Sequence, residues 1–244
     1  MTVLLPKQDN ADERFISSED SGISPDESPI PSEGILVSPD AQGKAKVYPV
    51  SKTREIAQIA LCIAILAVCA WVTIPLGAIP ITLQMFAITF ALVLLPPKAF
   101  ITAIAGYLLL GAVGLPVFSG MRGGIGVLLG PTGGYLWGYF IGGALGALLM
   151  QMLYKALQVP LRNGVPMLKR PEDRKKSLLI AFAGSAVYIL TAYALAWAWF
   201  MVVSEVGPWA SFLATVAPFI LLDAAKVVLA AISAQAVLRA INHT

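Results

Sequence analysis

Histidine is all but missing from this sequence: His243, next to the C-terminal Thr244, is its single example. An active site built on imidazole is therefore not expected. Cysteine is nearly as scarce. Cys62 and Cys69 fall in one apolar segment, two helical turns apart and facing lipid or neighbouring helices, and they imply neither a disulfide framework nor a zinc site. Charge is thin as well, at 13% of residues against 57% hydrophobic, with a mean hydropathy of +0.77. A water-soluble domain of this length needs far more polar surface to cover its core, so the chain reads as an integral membrane protein. Acids are missing above all from the apolar part. Asp9, Asp12, Glu13, Glu19, Asp20, Asp26, Glu27, Glu33 and Asp40 precede the first apolar segment, and only Glu55, Glu172, Asp173, Glu205 and Asp223 follow. No short basic region followed by an apolar stretch and a small-residue cleavage site opens the chain, so no signal peptide is expected. Neither H-E-x-x-H nor a carboxylate cluster occurs, and the serines have no histidine to activate them, which argues against an enzyme.

What is present begins with a tail, residues 1–50, that includes "SSEDSGISPDESPIPSEG". It is rich in Ser, Pro, Asp, Glu and Gly and poor in aromatics, and it cannot bury enough apolar surface to offset ordering entropy. A disordered cytoplasmic tail is expected, with a docking or regulatory role as the alternative. Residues 51–244 form the second expected domain, an all-α bundle of six transmembrane helices at about 55–73, 84–96, 98–115, 132–157, 178–203 and 211–238, judged against the roughly 20 residues a helix needs to cross the bilayer. Before the second span, "IPLGAIPITLQ" carries Pro75, Gly77 and Pro80. That stretch is expected to dip back over the bundle as a structured cap, its backbone satisfied by protein or a water-filled cavity.

Loop charges orient the bundle. Lys44, Lys46, Lys52 and Arg54, then Lys98, then Arg162, Lys169, Arg170, Arg174, Lys175 and Lys176, and finally Arg239 all fall on one side, whereas Arg122 and Glu205 are alone on the other. The positive-inside rule then puts both termini in the cytoplasm, and an odd number of spans would destroy the segregation.

Four patterns could carry function. Gly134, Gly138, Gly142 and Gly146 recur every four residues along one helical face, which permits close approach of another helix, either within this chain or in an oligomer. Ala60 and Ala64, with Ala57 and Ala67 nearby, make a weaker small-residue stripe on the first span. Between spans three and four, "GLPVFSGMRGGIGVLLGPTGG" has the glycines of a phosphate loop, but no G-x-x-x-x-G-K-[ST] and no preceding strand, so a nucleotide site is rejected. It is either a structural loop or the lining of a ligand pocket, to which Phe118, Arg122 and Tyr135 bring aromatic and cationic groups.

The fourth pattern is "PFILLDAAKVVLAAI", Pro218 to Ile232. Asp223 and Lys226, three residues apart, share one side of a helix. With that helix starting near Ser211, Asp223 lies roughly 18 Å in at about 1.5 Å per residue, near the midplane. A charge there costs on the order of 3 kcal/mol, and such residues face a bundle interior or cavity and mark substrate or ion routes. Either the two neutralise each other and fix packing, or they form the polar floor of a pocket: an acceptor-only carboxylate and a three-donor ammonium suit a small ligand with N–H and C=O or carboxylate groups. A channel or proton-coupled carrier using the pair as a relay is the competing membrane function.

The strings "IPITLQ" (Ile79 to Gln84), "LLLGAVGLPVFSG" (Leu108 to Gly120), "GGIGVLLGPTGGYLWGY" (Gly123 to Tyr139) and "DAAKVVLAA" (Asp223 to Ala231) together resemble the BioY family of biotin transporters, the S components of energy-coupling factor (ECF) transporters. The resemblance spans about residues 55–240. It implies an S-component-like six-helix bundle in the cytoplasmic membrane with both termini cytoplasmic, capturing biotin from the outer face. The binding residues it implies are Asp223, Lys226, Phe118, Gly120, Arg122, Gly126, Thr132, Tyr135 and Gln84. Asp223 would accept from ureido N–H groups, and Phe118 and Tyr135 would cover the apolar ring. Lys226 would donate to the ureido oxygen or to the valerate carboxylate, for which Arg122 is the second candidate. Ala60 and Ala64 would dock a T component, itself joined to two ATPase subunits that use the ATP. No cofactor is implied for this chain, and its partners would be biotin, those subunits and membrane lipid, with no nucleic acid. An S component for another small vitamin, or a biotin carrier working alone, is the nearest alternative.

Overall fold

The computed structural model describes residues 15–16, 35–39, 45–75, 79–168 and 170–242. The chain divides into two compact units, Met1–Ala57 and Gln58–Thr244. In the first, the described residues form an antiparallel sheet of β1 (Phe15–Ile16), β2 (Ile35–Pro39) and β3 (Ala45–Pro49), in that spatial order, with Ile35 opposite Pro49 and Val37 opposite Val47. Most of the tail expected to be disordered lies outside the described residues, as do Lys169 and His243. The paired strands fall where Ile, Val and Tyr interrupt the polar composition.

Helix α1 (Val50–Trp71) leads into the second unit. There follow a hairpin of β4 (Thr73–Ile74) and β5 (Ile81–Thr82), then α2 (Gln84–Leu94), α3 (Pro97–Ala112), α4 (Ile125–Leu129) and α5 (Gly133–Ala156). A second hairpin, β6 (Leu161–Arg162) with β7 (Val165–Pro166), precedes α6 (Pro171–Ser204), α7 (Pro208–Thr215) and α8 (Ile220–Asn242). The main helix pairs are α5 with α6 and α2 with α8.

Each of the six expected segments corresponds to a helix, but they are not six equal spans. Among the described residues, four helices, α1, α5, α6 and α8, are long and apolar enough to cross a membrane. Helix α2 has 11 residues and α3 has 16, about 16 and 24 Å at 1.5 Å per residue. Proline explains both limits. Pro96 takes an extended conformation and Pro97 starts α3, so no continuous helix can pass between them. The protein is thus a multi-pass membrane protein built from four long and two short apolar helices, with α4 and α7 as small helices in the connections.

The sixth segment also differs. A single helix from Ser211 does not form, because α7 ends at Thr215 and α8 starts at Ile220, with turns over Val216–Phe219 that contain Pro218. Asp223 consequently lies in the first turn of α8 instead of deep within a helix, where the helix dipole favours a carboxylate. The chain "IPLGAIPITLQ" does fold back: Thr73 pairs with Thr82 and Ile74 with Ile81, the residues between Pro75 and Ile79 lying outside those described.

The glycine stripe of α5 packs inside the molecule. A Cβ on Gly138 would lie 2.6 Å from Ala192 Cα, one on Gly142 2.7 Å from the Tyr188 carbonyl oxygen, and one on Gly146 2.6 Å from that of Gly184. Side-chain-free glycines therefore let α5 and α6 touch backbone to backbone.

Candidate functional site

At the end of the bundle where β4–β5 folds back, the starts of α2, α5 and α8 and the loop between α3 and α4 surround a recess with about 540 Å³ of empty space, the open solvent at its mouth included. Its wall is mostly apolar, with Ile79, Pro80, Ile81, Met85, Phe118, Val127, Leu136 and Phe219. Its polar groups are Thr82, Gln84, Ser119, Arg122, Thr132, Tyr135, Tyr139 and Asp223. A largely apolar hollow with a few convergent polar groups is the usual form of a small-molecule site.

Asp223 is 5% exposed and is the focus of the polar set. Tyr193 Oη on α6 donates to its Oδ2 at 2.8 Å, and Lys226 Nζ donates to its Oδ1 at 2.8 Å. Lys226 also donates to the Thr82 carbonyl oxygen at 2.9 Å, tying α8 to strand β5. The pair is therefore formed, and Asp223 lines the recess, while Lys226 stands behind it and is not part of the wall. An ionised carboxylate has about four acceptor positions, so two internal donors leave acceptor capacity for a ligand's N–H groups.

The other expected residues divide similarly. Gln84 is buried, its Nε2 donating to Tyr107 Oη at 2.8 Å, and Tyr107 Oη donates in turn to the Val117 carbonyl oxygen. Phe118, 1% exposed, stands edge-on to Tyr107 with centroids 5.5 Å apart. Gly111 makes room for it, since a Cβ there would come within 2.0 Å of the Phe118 ring. Tyr135 lines the recess, and its hydroxyl donates to the Thr215 carbonyl oxygen at the end of α7. Arg122 is exposed; its Nε donates to the Ser119 carbonyl oxygen at 3.1 Å, leaving the terminal nitrogens of the guanidinium for other partners. Thr132 lines the recess at the start of α5.

Gly120 and Gly126 do not line it. Gly120 takes a positive φ of 68°, open to glycine without strain, and its N–H donates to Thr73 Oγ1, fastening the α3–α4 loop to β4. Gly126 lies in α4 with open space where a side chain would be. Ala60 and Ala64 are exposed on α1. The sequence reading missed Tyr193, Tyr139 and Met85 as site residues: an aromatic or methionine in an apolar span carries no pattern to separate a site residue from core. It also missed the role of Thr82, which works through its backbone carbonyl. Among the described residues, no three His, Cys, Asp or Glu come together to hold a metal ion.

The profile of the BioY family matches residues 42–243. "Probable biotin transporter BioY" of Pyrococcus horikoshii is 32% identical over 184 residues, 75% of this chain and 96% of that protein. "Biotin transporter BioY2" of Lactococcus lactis is 32% identical over 195 residues, 80% and 95% of the two chains. "Biotin transporter BioY" of Thermotoga maritima is 44% identical over 98 residues, which are 40% of this chain and 58% of that one. A crystal structure of the S-component for biotin from an ECF-type ABC transporter has the same fold, with a TM-score of 0.65 at 22% identity over 80% of this chain and 95% of that one.

Proposed function

The chain belongs to the BioY family, and from that premise we propose that it captures biotin for uptake across the cytoplasmic membrane as the S component of an ECF-type transporter. The observation that carries this reading is Asp223: a buried carboxylate with acceptor capacity to spare, at the wall of a recess that combines apolar and polar side chains. Biotin presents two ureido N–H groups, an apolar fused ring and a carboxylate on a flexible chain. Asp223 accepts from the ureido N–H groups, Gln84 and Thr132 supply further polar contacts, and Phe118 and Tyr135 cover the ring. Arg122 takes the carboxylate, because it lines the recess and has free guanidinium nitrogens, whereas Lys226 is occupied by Asp223 and Thr82. The recess opens to the outside of the cell and both termini are cytoplasmic, in keeping with the loop charges.

The chain performs no chemistry on its ligand and needs no cofactor of its own. A T component docks on the Ala60 and Ala64 face of α1, and two ATPase subunits joined to it consume the ATP. Equilibrium binding of labelled biotin to the purified chain in detergent tests the reading. Tight binding by the wild type, weakened in Asp223→Asn and displaced by unlabelled biotin, is expected. A folded wild type that binds no biotin would sink it and turn attention to other small vitamins.

A further inference from the structure

Asp223 can serve a ligand only if its carboxylate plane is held still. The terminal torsion of an aspartate is broad and nearly two-fold, and Lys226, on the same helix, holds only Oδ1. A single donor on one oxygen leaves the plane free to turn about that contact. The second oxygen is held from another helix: Tyr193 Oη on α6 donates to Oδ2 at 2.8 Å. Tyr193 is itself braced, standing edge-on to Tyr135 with ring centroids 6.2 Å apart and an interplanar angle of 76°. It is 7% exposed and is not part of the recess wall, so it acts through Asp223 and not on a ligand directly.

We infer that Tyr193 is a positioning residue for ligand recognition: its hydroxyl, working with Lys226 on the opposite oxygen, fixes the Asp223 carboxylate so that its remaining acceptor positions face the recess. The ligand named for the test rests on the biotin reading, whereas the orientation of the carboxylate does not. Hydrogen bonds to charged groups are the stronger kind, so removal of this one is expected to weaken biotin binding by about ten- to hundredfold.

The experiment compares the full chain in detergent as wild type, Tyr193→Phe, Asp223→Asn and the double variant, by labelled-biotin binding and by thermal unfolding. Tyr193→Phe keeps the ring and its packing on Tyr135, so the protein should stay folded, its unfolding temperature lowered by no more than the loss of one buried hydrogen bond, while binding weakens. In the double variant the loss should match that of Asp223→Asn alone, since the ring packing on Tyr135 is kept and the lost hydroxyl acts through the Asp223 carboxylate. Losses that simply add, or wild-type affinity in Tyr193→Phe, would overturn the inference. A ligand-free arm separates this from failure of the biotin reading. The infrared carboxylate stretch of Asp223, identified by its loss in Asp223→Asn, should shift in Tyr193→Phe. An unmoved band would overturn the inference even where biotin itself fails to bind.

Discussion

Asp223 and Lys226 were legible from the sequence because a charge in an apolar helix is costly and therefore conspicuous. Their partners were not, because Tyr193 looks like any aromatic in a span and the Thr82 carbonyl exists at every residue. The structure makes the pair a local brace in which Asp223 alone lines the recess, the side chains of Lys226 and Asp223 being only 12% and 7% exposed. Removing one member of such a buried pair leaves an uncompensated charge, at about 3–5 kcal/mol. Lys226→Met should therefore lower the thermal unfolding temperature in detergent markedly. Combining it with Asp223→Asn removes the charge, and most of the lost stability should return while biotin binding stays weak. A Lys226→Met protein as stable as the wild type would mean that the ammonium does not brace α8 against β5. At the rim, Arg122→Ala should weaken biotin more than it weakens a biotin ester that lacks the carboxylate, measured by competition. Equal losses for both would remove Arg122 from the carboxylate contact.

Among the elements, the order of apolar segments and the folded-back stretch after α1 followed from length, proline and glycine. The start of α8 did not, since hydropathy runs unbroken from Phe212 to Leu222 apart from small and hydroxyl residues, and it cannot register the turns around Pro218. That break puts Asp223 at a helix N-terminus and brings Phe219 to the recess. The glycine stripe was legible as a close-packing face, but its partner was not, because periodicity on one helix says nothing about which neighbour it meets. With α6 now identified as that neighbour, Gly138→Leu has no room: its Cβ alone would approach Ala192 Cα to 2.6 Å. Backbone cannot yield as a flexible side chain can, so overpacking at the α5–α6 seam should cost at least about 1–3 kcal/mol. Gly207→Ala, where no atom lies within 4 Å, is the matched control. Size-exclusion profiles and unfolding temperatures in detergent should separate the two variants. A Gly138→Leu protein with wild-type stability would show that the seam is more forgiving than its geometry implies.

For the whole molecule, the proposed function puts capture and energy supply on different faces, so the two should be separable. Helix α1 turns Cys62, Leu66 and Ala70 inward, while Ala60, Leu61, Ala64, Ile65 and Val68 are exposed. In the bilayer that outer face meets lipid at no penalty, so exposure alone does not demand a partner; what distinguishes it is the pair of small side chains, which allows a second helix to approach closely. Neither alanine lines the recess. Replacing both by leucine adds volume on a surface with space to take it, leaving the cavity end of the bundle unchanged. The double variant Ala60→Leu with Ala64→Leu should therefore bind biotin like the wild type but fail to copurify with a T component and its ATPases. Uptake by cells should fall in parallel with assembly and not with affinity. An intact complex would discredit α1 as the docking face, whereas weakened biotin binding would mean that α1 supports the site after all.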